Sequence, residues 1–210
     1  MTPQHPAPSP PTAFRTGVRL WAAAVIFALP VAACANDPRP SAIPPSSPFA
    51  GIPNLELAYY EVSGRTADEI RRSLDARQPR DPNDGMPVAA LSSWSMHWGW
   101  RARLGGGCDL SRPTIDFRAR PLLPRLASER DLTPELRARW RAFLAAVQAH
   151  EARHVRYAYD HRRDVVAAIR ASDCASAAAA AAAAVRAIAQ RDVDYDRATR
   201  HGTTEGAVFP

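Results

Sequence analysis

The 210-residue chain carries a formal net charge of +6, has arginine and no lysine as its fixed cation, and contains three cysteines. That length suits one domain with additional terminal segments. The arginines are scattered, with Arg137, Arg139 and Arg141 on or near the outer face of one long helical pattern, which excludes the basic patch a nucleic-acid-binding protein needs.

Residues 1–34 read as an export signal. Leu20 to Ala33 is apolar, follows Arg15 and Arg19 with no acidic residue before it, and is too short to span a bilayer. Removing the two arginines takes the net charge from +6 to +4. Val31-Ala32-Ala33-Cys34 resembles a bacterial lipobox, in which the cysteine thiol receives diacylglycerol and becomes the first mature residue. The other parse uses Ala33-Cys34-Ala35 as a small-x-small site for ordinary signal peptidase. Both readings put the mature protein in the periplasm or cell envelope, and the first anchors it to a membrane through Cys34. With Cys34 outside the fold, Cys108 and Cys174 are the one possible intrachain pair in an oxidising compartment. A bridge there would stabilise by about 4 kcal/mol in the chain-entropy picture. The alternative is two buried free thiols.

Residues 35–53 are rich in Pro, Ser and Ala and read as an extended tether, leaving 54–210 as the domain. Leu55 to Val62 alternates like a strand that Gly64 ends, and Thr66 with Glu69 forms a capping box for a helix to about Ala76. Residues 79–87 are turn-rich. Trp94, Met96, Trp98 and Trp100 recur at every second position, predicting a strand with one aromatic face and His97 on the opposite, exposed face. Gly105 to Gly107 breaks it. A further strand is expected over Pro113 to Ala119, with Ile115 and Phe117 on one face and Pro121 and Pro124 stopping it.

Two helices come next, over Pro134 to Ala171 and Ala175 to Thr199, pinned at their turn by Cys174. Thr133 and Pro134 supply the N-cap and first residue of the former. The alanine run Ala177 to Ala184 reads as a close-packing helix. This order of elements predicts an α+β domain, with a small antiparallel sheet packed against a long motif helix and a second, antiparallel helix.

Residues 150–154 read His-Glu-Ala-Arg-His, a complete HExxH within the first long helix. Histidines four apart share a helix face, so His150 and His154 can offer nitrogens to one zinc ion. Glu151 is then placed to take a proton from a water that the metal activates. The helix's apolar stripe, Leu136, Trp140, Phe143 or Leu144 and Val147, continues through Glu151, His154 and Ala158, so the motif faces inward. Buried His and Glu without partners would be costly. The alternative is a structural polar cluster. Arg153 reads as a solvated helix residue.

A catalytic zinc needs a third protein ligand. The metzincin continuation fails, because Asp160 stands where the third histidine belongs and His161 comes one residue late. If the helices turn near Asp173, Asp196 lies level with His150 and Asp192 with His154. His201 then lies about 7.5 Å further along. The level argument favours Asp196 as ligand; the need of a metal-bound histidine for a carboxylate behind it favours His201 as ligand with Asp196 supporting it. His201 is taken as the third ligand and Asp196 as its alternative. Tyr195 is a candidate to stabilise a tetrahedral oxyanion, or else packs on the aromatic sheet face.

A set of residues carries a resemblance: Tyr60-x-Val62-x-Gly64-x-Thr66, Trp94 and Trp98, Cys108-x-Leu110, Trp140-x-x-Phe143, the HEARH segment and Tyr195-Asp196-x-x-Thr199-x-His201-Gly202. From about Leu55 to its end, the chain resembles the predicted secreted zinc-dependent proteases of bacteria, a bacterial domain of unknown function. The resemblance implies a minimal zincin-like fold, zinc as cofactor, and the segment from Tyr195 to Gly202 as part of the site.

The expected function is therefore a secreted or lipid-anchored zinc metallopeptidase acting on a protein, a peptide or the peptide of a cell wall. The rival is a non-catalytic envelope lipoprotein whose metal or polar cluster, closed by His150, His154, Asp196 and His201, holds the helices together while it binds a periplasmic partner.

Overall fold

A computed structural model describes residues 43–210, so the expected export signal, Cys34 and the start of the expected tether lie outside the described residues. The remainder of the expected tether is part of the domain. Phe49 and Ile52 are buried in the core, and the Arg156 guanidinium donates to the Ala50 carbonyl at 2.7 Å. The Pro- and Ser-rich composition conceals these two apolar anchors, which sit on tight turns rather than on an extended spacer.

The elements run in the order β1 (Ala58–Val62), α1 (Ala67–Arg77), β2 (Leu91–Ala102), β3 (Cys108–Leu126), α2 (Pro134–Arg170) and α3 (Ala177–Thr199), with a 3-10 turn at Thr203–Glu205. The capping box of α1 is formed: Thr66 accepts from the Glu69 amide at 3.3 Å and Glu69 accepts from the Thr66 amide at 3.3 Å. In β2, Met96 is buried, and Trp94, Trp98 and Trp100 pack against the same core, while His97 is exposed. The β2–β3 hairpin pairs Met96 with Phe117 and Trp98 with Ile115.

The sheet is mixed rather than purely antiparallel, with order β1-β3-β2 and β1 parallel to β3. Strands β1 and β3 are separated by α1 and β2, enough chain to return in the same direction, so only the tight hairpin is obliged to be antiparallel. Nor do the prolines end β3. Ala119 bonds Asn54 and Glu56 through its amide and carbonyl, so alternation points the nitrogen of residue 124 toward the β2 side. There β2 begins only at Leu91, opposite Leu122, and Pro124 forfeits no ladder bond. Pro121 lies opposite the interruption between the Leu55 bridge and the start of β1.

Helix α2 begins as its sequence specifies, with Thr133 accepting from the Leu136 amide at 3.3 Å and Pro134 in the first turn. It packs on β2, on β3 and along α3. Ala177, Ala181, Val185 and Ile188 form the buried stripe of α3, and the short side chains let the two helices approach closely. A disulfide joins Cys108 at the start of β3 to Cys174 in the α2–α3 turn, with a Cα–Cα separation of 5.7 Å. The C-terminal segment also docks: Phe209 lies 5.8 Å from Trp140 and 5.6 Å from Phe143, ring centre to ring centre. Among the described residues, no helix is long and apolar enough to cross a membrane.

Candidate metal centre

The buried stripe of α2 carries the motif inward, so that His150 is 3% exposed and Glu151 and His154 are each 6% exposed. Antiparallel α3 delivers Asp196 opposite them. Its Oδ1 lies 3.1 Å from His150 Nε2 and 3.0 Å from His154 Nε2, and the two Nε2 atoms are 3.2 Å apart. The remaining nitrogens are occupied from behind. His150 Nδ1 donates to Glu205 Oε2 at 3.0 Å, and His154 Nδ1 stands 3.3 Å from Asp192 Oδ1. Asp192 in turn accepts the Trp94 indole N–H at 2.6 Å.

With a carboxylate behind each Nδ1, both Nε2 atoms and an Asp196 oxygen converge on one point, and lone pairs so close repel unless a proton or a cation stands among them. Protonation relieves this in the metal-free protein. Burial opposes a charge on His154, but Asp192 and Asp196 outweigh it and push its pKa up to about 10. Burial likewise opposes ionisation of Asp196, and the two histidines outweigh it, holding the carboxyl well below the usual range. The donor set fits zinc in kind, two imidazoles and a carboxylate, and in spacing, since tetrahedral donors about 2.0 Å from an ion lie roughly 3.3 Å apart.

Glu151 lines the same cleft, which has a volume of about 440 Å³ with its open mouth included. Burial raises its pKa, against the opposing pull of His154. Ser92 of β2 fastens the helix here by donating to the Glu151 backbone carbonyl at 3.2 Å.

Of the residues singled out by sequence, His150, His154 and Asp196 come together as converging donors, with Asp192 level with His154 as expected. His201 is not among these three converging donors. It lines the cleft with Nδ1 3.8 Å from Asp196 Oδ1, and its ring is held between Asp84, 3.0 Å from Nε2, and Asp81, 3.6 Å from Nδ1. The reason is the exit from α3: Arg200, His201 and Gly202 all have positive φ, and this left-handed turn carries His201 across to the 79–87 loop.

Tyr195 is placed behind the histidines. Its ring stacks on His150, 5.0 Å between centres at 20°, and its hydroxyl donates to Glu205 Oε2 at 2.7 Å, behind the histidines and not among the groups lining the cleft. Burial and then Glu205 push the hydroxyl pKa up to about 12, against the opposing effect of Arg153. Arg153 is exposed as expected, yet donates to the Tyr195 hydroxyl at 2.9 Å and reaches Glu205. Sequence reasoning missed Glu205, Asp81 and Asp84. The one mark of Glu205 in the sequence is that it is the only acidic residue after Asp196. Asp81 and Asp84 sit in a turn-rich stretch that carries no periodicity.

The fold and centre define a small α+β domain built around an HExxH helix with a His, His and Asp donor set. The chain belongs to a family described as a bacterial protein of unknown function (DUF922), whose model matches residues 57–202. No curated protein and no solved structure matches it.

Proposed function

We propose that this protein is an exported zinc metallopeptidase, held at the cell envelope by a lipid on Cys34, that hydrolyses amide bonds of a protein, a peptide or a cell-wall peptide. The observation that carries this reading is the convergence of His150 Nε2, His154 Nε2 and Asp196 Oδ1 beside the buried carboxyl of Glu151. His150, His154 and Asp196 would hold the ion. Bound zinc would polarise the scissile carbonyl and make a water in the cleft more acidic. Glu151 takes the proton of the attacking water at its carboxylate and returns it to the leaving nitrogen. Its raised proton affinity suits both transfers, because a general base works best with a pKa near the working pH.

One observation favours the rival reading of a non-catalytic envelope lipoprotein that binds a periplasmic partner. His201 stands in the same cleft, with Nδ1 3.8 Å from Asp196 Oδ1, and as a fourth protein donor it would close the ion to substrate. X-ray absorption on the zinc-loaded mature protein distinguishes the two. Three protein donors with one exchangeable light atom support the peptidase; four protein donors favour the binding protein. A protein that takes up no stoichiometric zinc overturns the metal reading.

A further inference from the structure

The geometry points to Glu205 as the positioning residue for the His150 ligand, clamped there by Arg153 and Tyr195, so that the C-terminal segment beyond the family-matched region completes the metal centre. The inference rests on the zinc reading above. Glu205 is three residues past Gly202, where the family match ends, yet its Oε2 accepts both the His150 Nδ1 proton at 3.0 Å and the Tyr195 hydroxyl at 2.7 Å. Its other oxygen, Oε1, meets the Arg153 guanidinium. Arg153 also donates to the Tyr195 hydroxyl, which closes a ring of three side chains around one face of His150.

The backbone on both sides of Glu205 is fixed. The Glu205 and Ala207 amides both donate to the Gly202 carbonyl, at 2.9 and 3.0 Å, and the buried Ala207 and Phe209 anchor the rest of the tail. A carboxylate accepting from Nδ1 sets the imidazole tautomer, leaves the Nε2 lone pair facing inward and raises the ligand's basicity. Asp192 stands in the corresponding place behind His154, 3.3 Å from its Nδ1, from within α3. For His150 the equivalent group comes from the tail, and this gives a use to the arginine at the fourth position of the HExxH segment: from the exposed face it reaches over to hold that carboxylate.

The test measures zinc affinity of the full mature protein by competition with a chelator, together with the visible spectrum of its cobalt(II) form. Replacements of a carboxylate behind a metal-bound histidine are expected to weaken metal binding on the order of 10- to 100-fold. Glu205→Gln should therefore weaken zinc by that factor and shift the cobalt bands, while Glu205→Asp recovers part of the loss. A merely structural role would lower the melting temperature of the metal-free protein and leave the affinity and spectrum of the folded fraction as they were. If Glu205→Gln does not fold, Arg153→Ala and Tyr195→Phe carry the question, each expected to weaken zinc less and in the same direction. Wild-type zinc affinity and cobalt bands in folded Glu205→Gln, or in both of the other variants when it cannot be made, overturn the inference. A wild type that binds neither metal instead removes the zinc reading itself, and this inference with it.

Discussion

Gly202 lies against the ring of His150. A Cβ built on it would come 2.9 Å from the ring Cγ and 3.1 Å from Nδ1, and its φ of +76° is one that L side chains rarely adopt. The glycine thus lets the chain fold back over His150 and bring Glu205 behind it. Gly202→Ala should destabilise the domain by about 1–3 kcal/mol through backbone strain and should also weaken zinc by tilting His150. Chemical denaturation and a zinc titration check both. An alanine variant with unchanged stability and affinity would show that the close approach has no structural consequence.

Much of the centre follows from helix arithmetic. The HExxH stripe, the capping box of α1 and the levels of Asp192 and Asp196 against the histidines depend on a rise and periodicity that every α-helix shares, so the sequence shows them. What it conceals depends on which partner a segment meets. Pro124 is tolerated because β2 starts late, β1 runs parallel because of the chain that intervenes, and Phe49 looks like spacer until its pocket exists. His201 and Glu205 are placed by three consecutive left-handed residues, and of these only Gly202 advertises that conformation.

Ligand identity is separable by substitution. His150→Ala, His154→Ala and Asp196→Ala should each abolish stoichiometric zinc, because each removes a bond and the chelate geometry. His201→Ala should retain it, since that ring is held by Asp81 and Asp84 and stands outside the triad. Elemental analysis per mole of folded chain decides. Loss of zinc in His201→Ala with retention in Asp196→Ala would restore His201 as the third ligand.

The metal-free and zinc-loaded forms should diverge as the pH rises. His154 rises from 6.5 to about 10 on folding, so its stabilisation is complete below about 6.5 and is lost as the pH climbs toward 10. Asp196 is lowered from 3.8, so its contribution is present above that value and disappears in stronger acid. Glu151, raised by burial, subtracts from stability as the pH rises above 4.5. In chelator, the melting temperature should therefore fall on raising the pH through neutrality. Zinc must displace the His154 proton, so the stabilisation it adds should grow over about pH 6 to 8. Parallel melting curves with and without zinc across that range would contradict the assignment.

The Cys108–Cys174 bridge ties the hairpin to the helical turn over a sequence separation of 66. Cys108→Ser should cost about 4 kcal/mol by freeing that loop in the unfolded chain. Mass spectrometry of the non-reduced mature protein should find the two cysteine peptides linked and two protons short. Two thiols there that alkylate without reduction would count against the bridge.

Glu151 separates an enzyme from a binding protein, because it lines the cleft beside His150, His154 and Asp196 without being one of the converging donors. Glu151→Gln keeps the size of the side chain and removes its capacity to accept a proton. It also relieves the burial that now disfavours the charge, so fold and zinc content should be retained, with stability unchanged or slightly raised near neutral pH. General-base catalysis typically contributes about 10²- to 10⁴-fold, so hydrolysis of any substrate the wild type cleaves should fall by at least that range. Wild type and variant, both zinc-loaded, are to be profiled against mixed peptide and cell-wall peptide libraries. Cleavage that survives in Glu151→Gln would show that another group takes the proton. No cleavage by the wild type across broad libraries would instead favour the binding protein, in which Glu151→Gln acts only through stability.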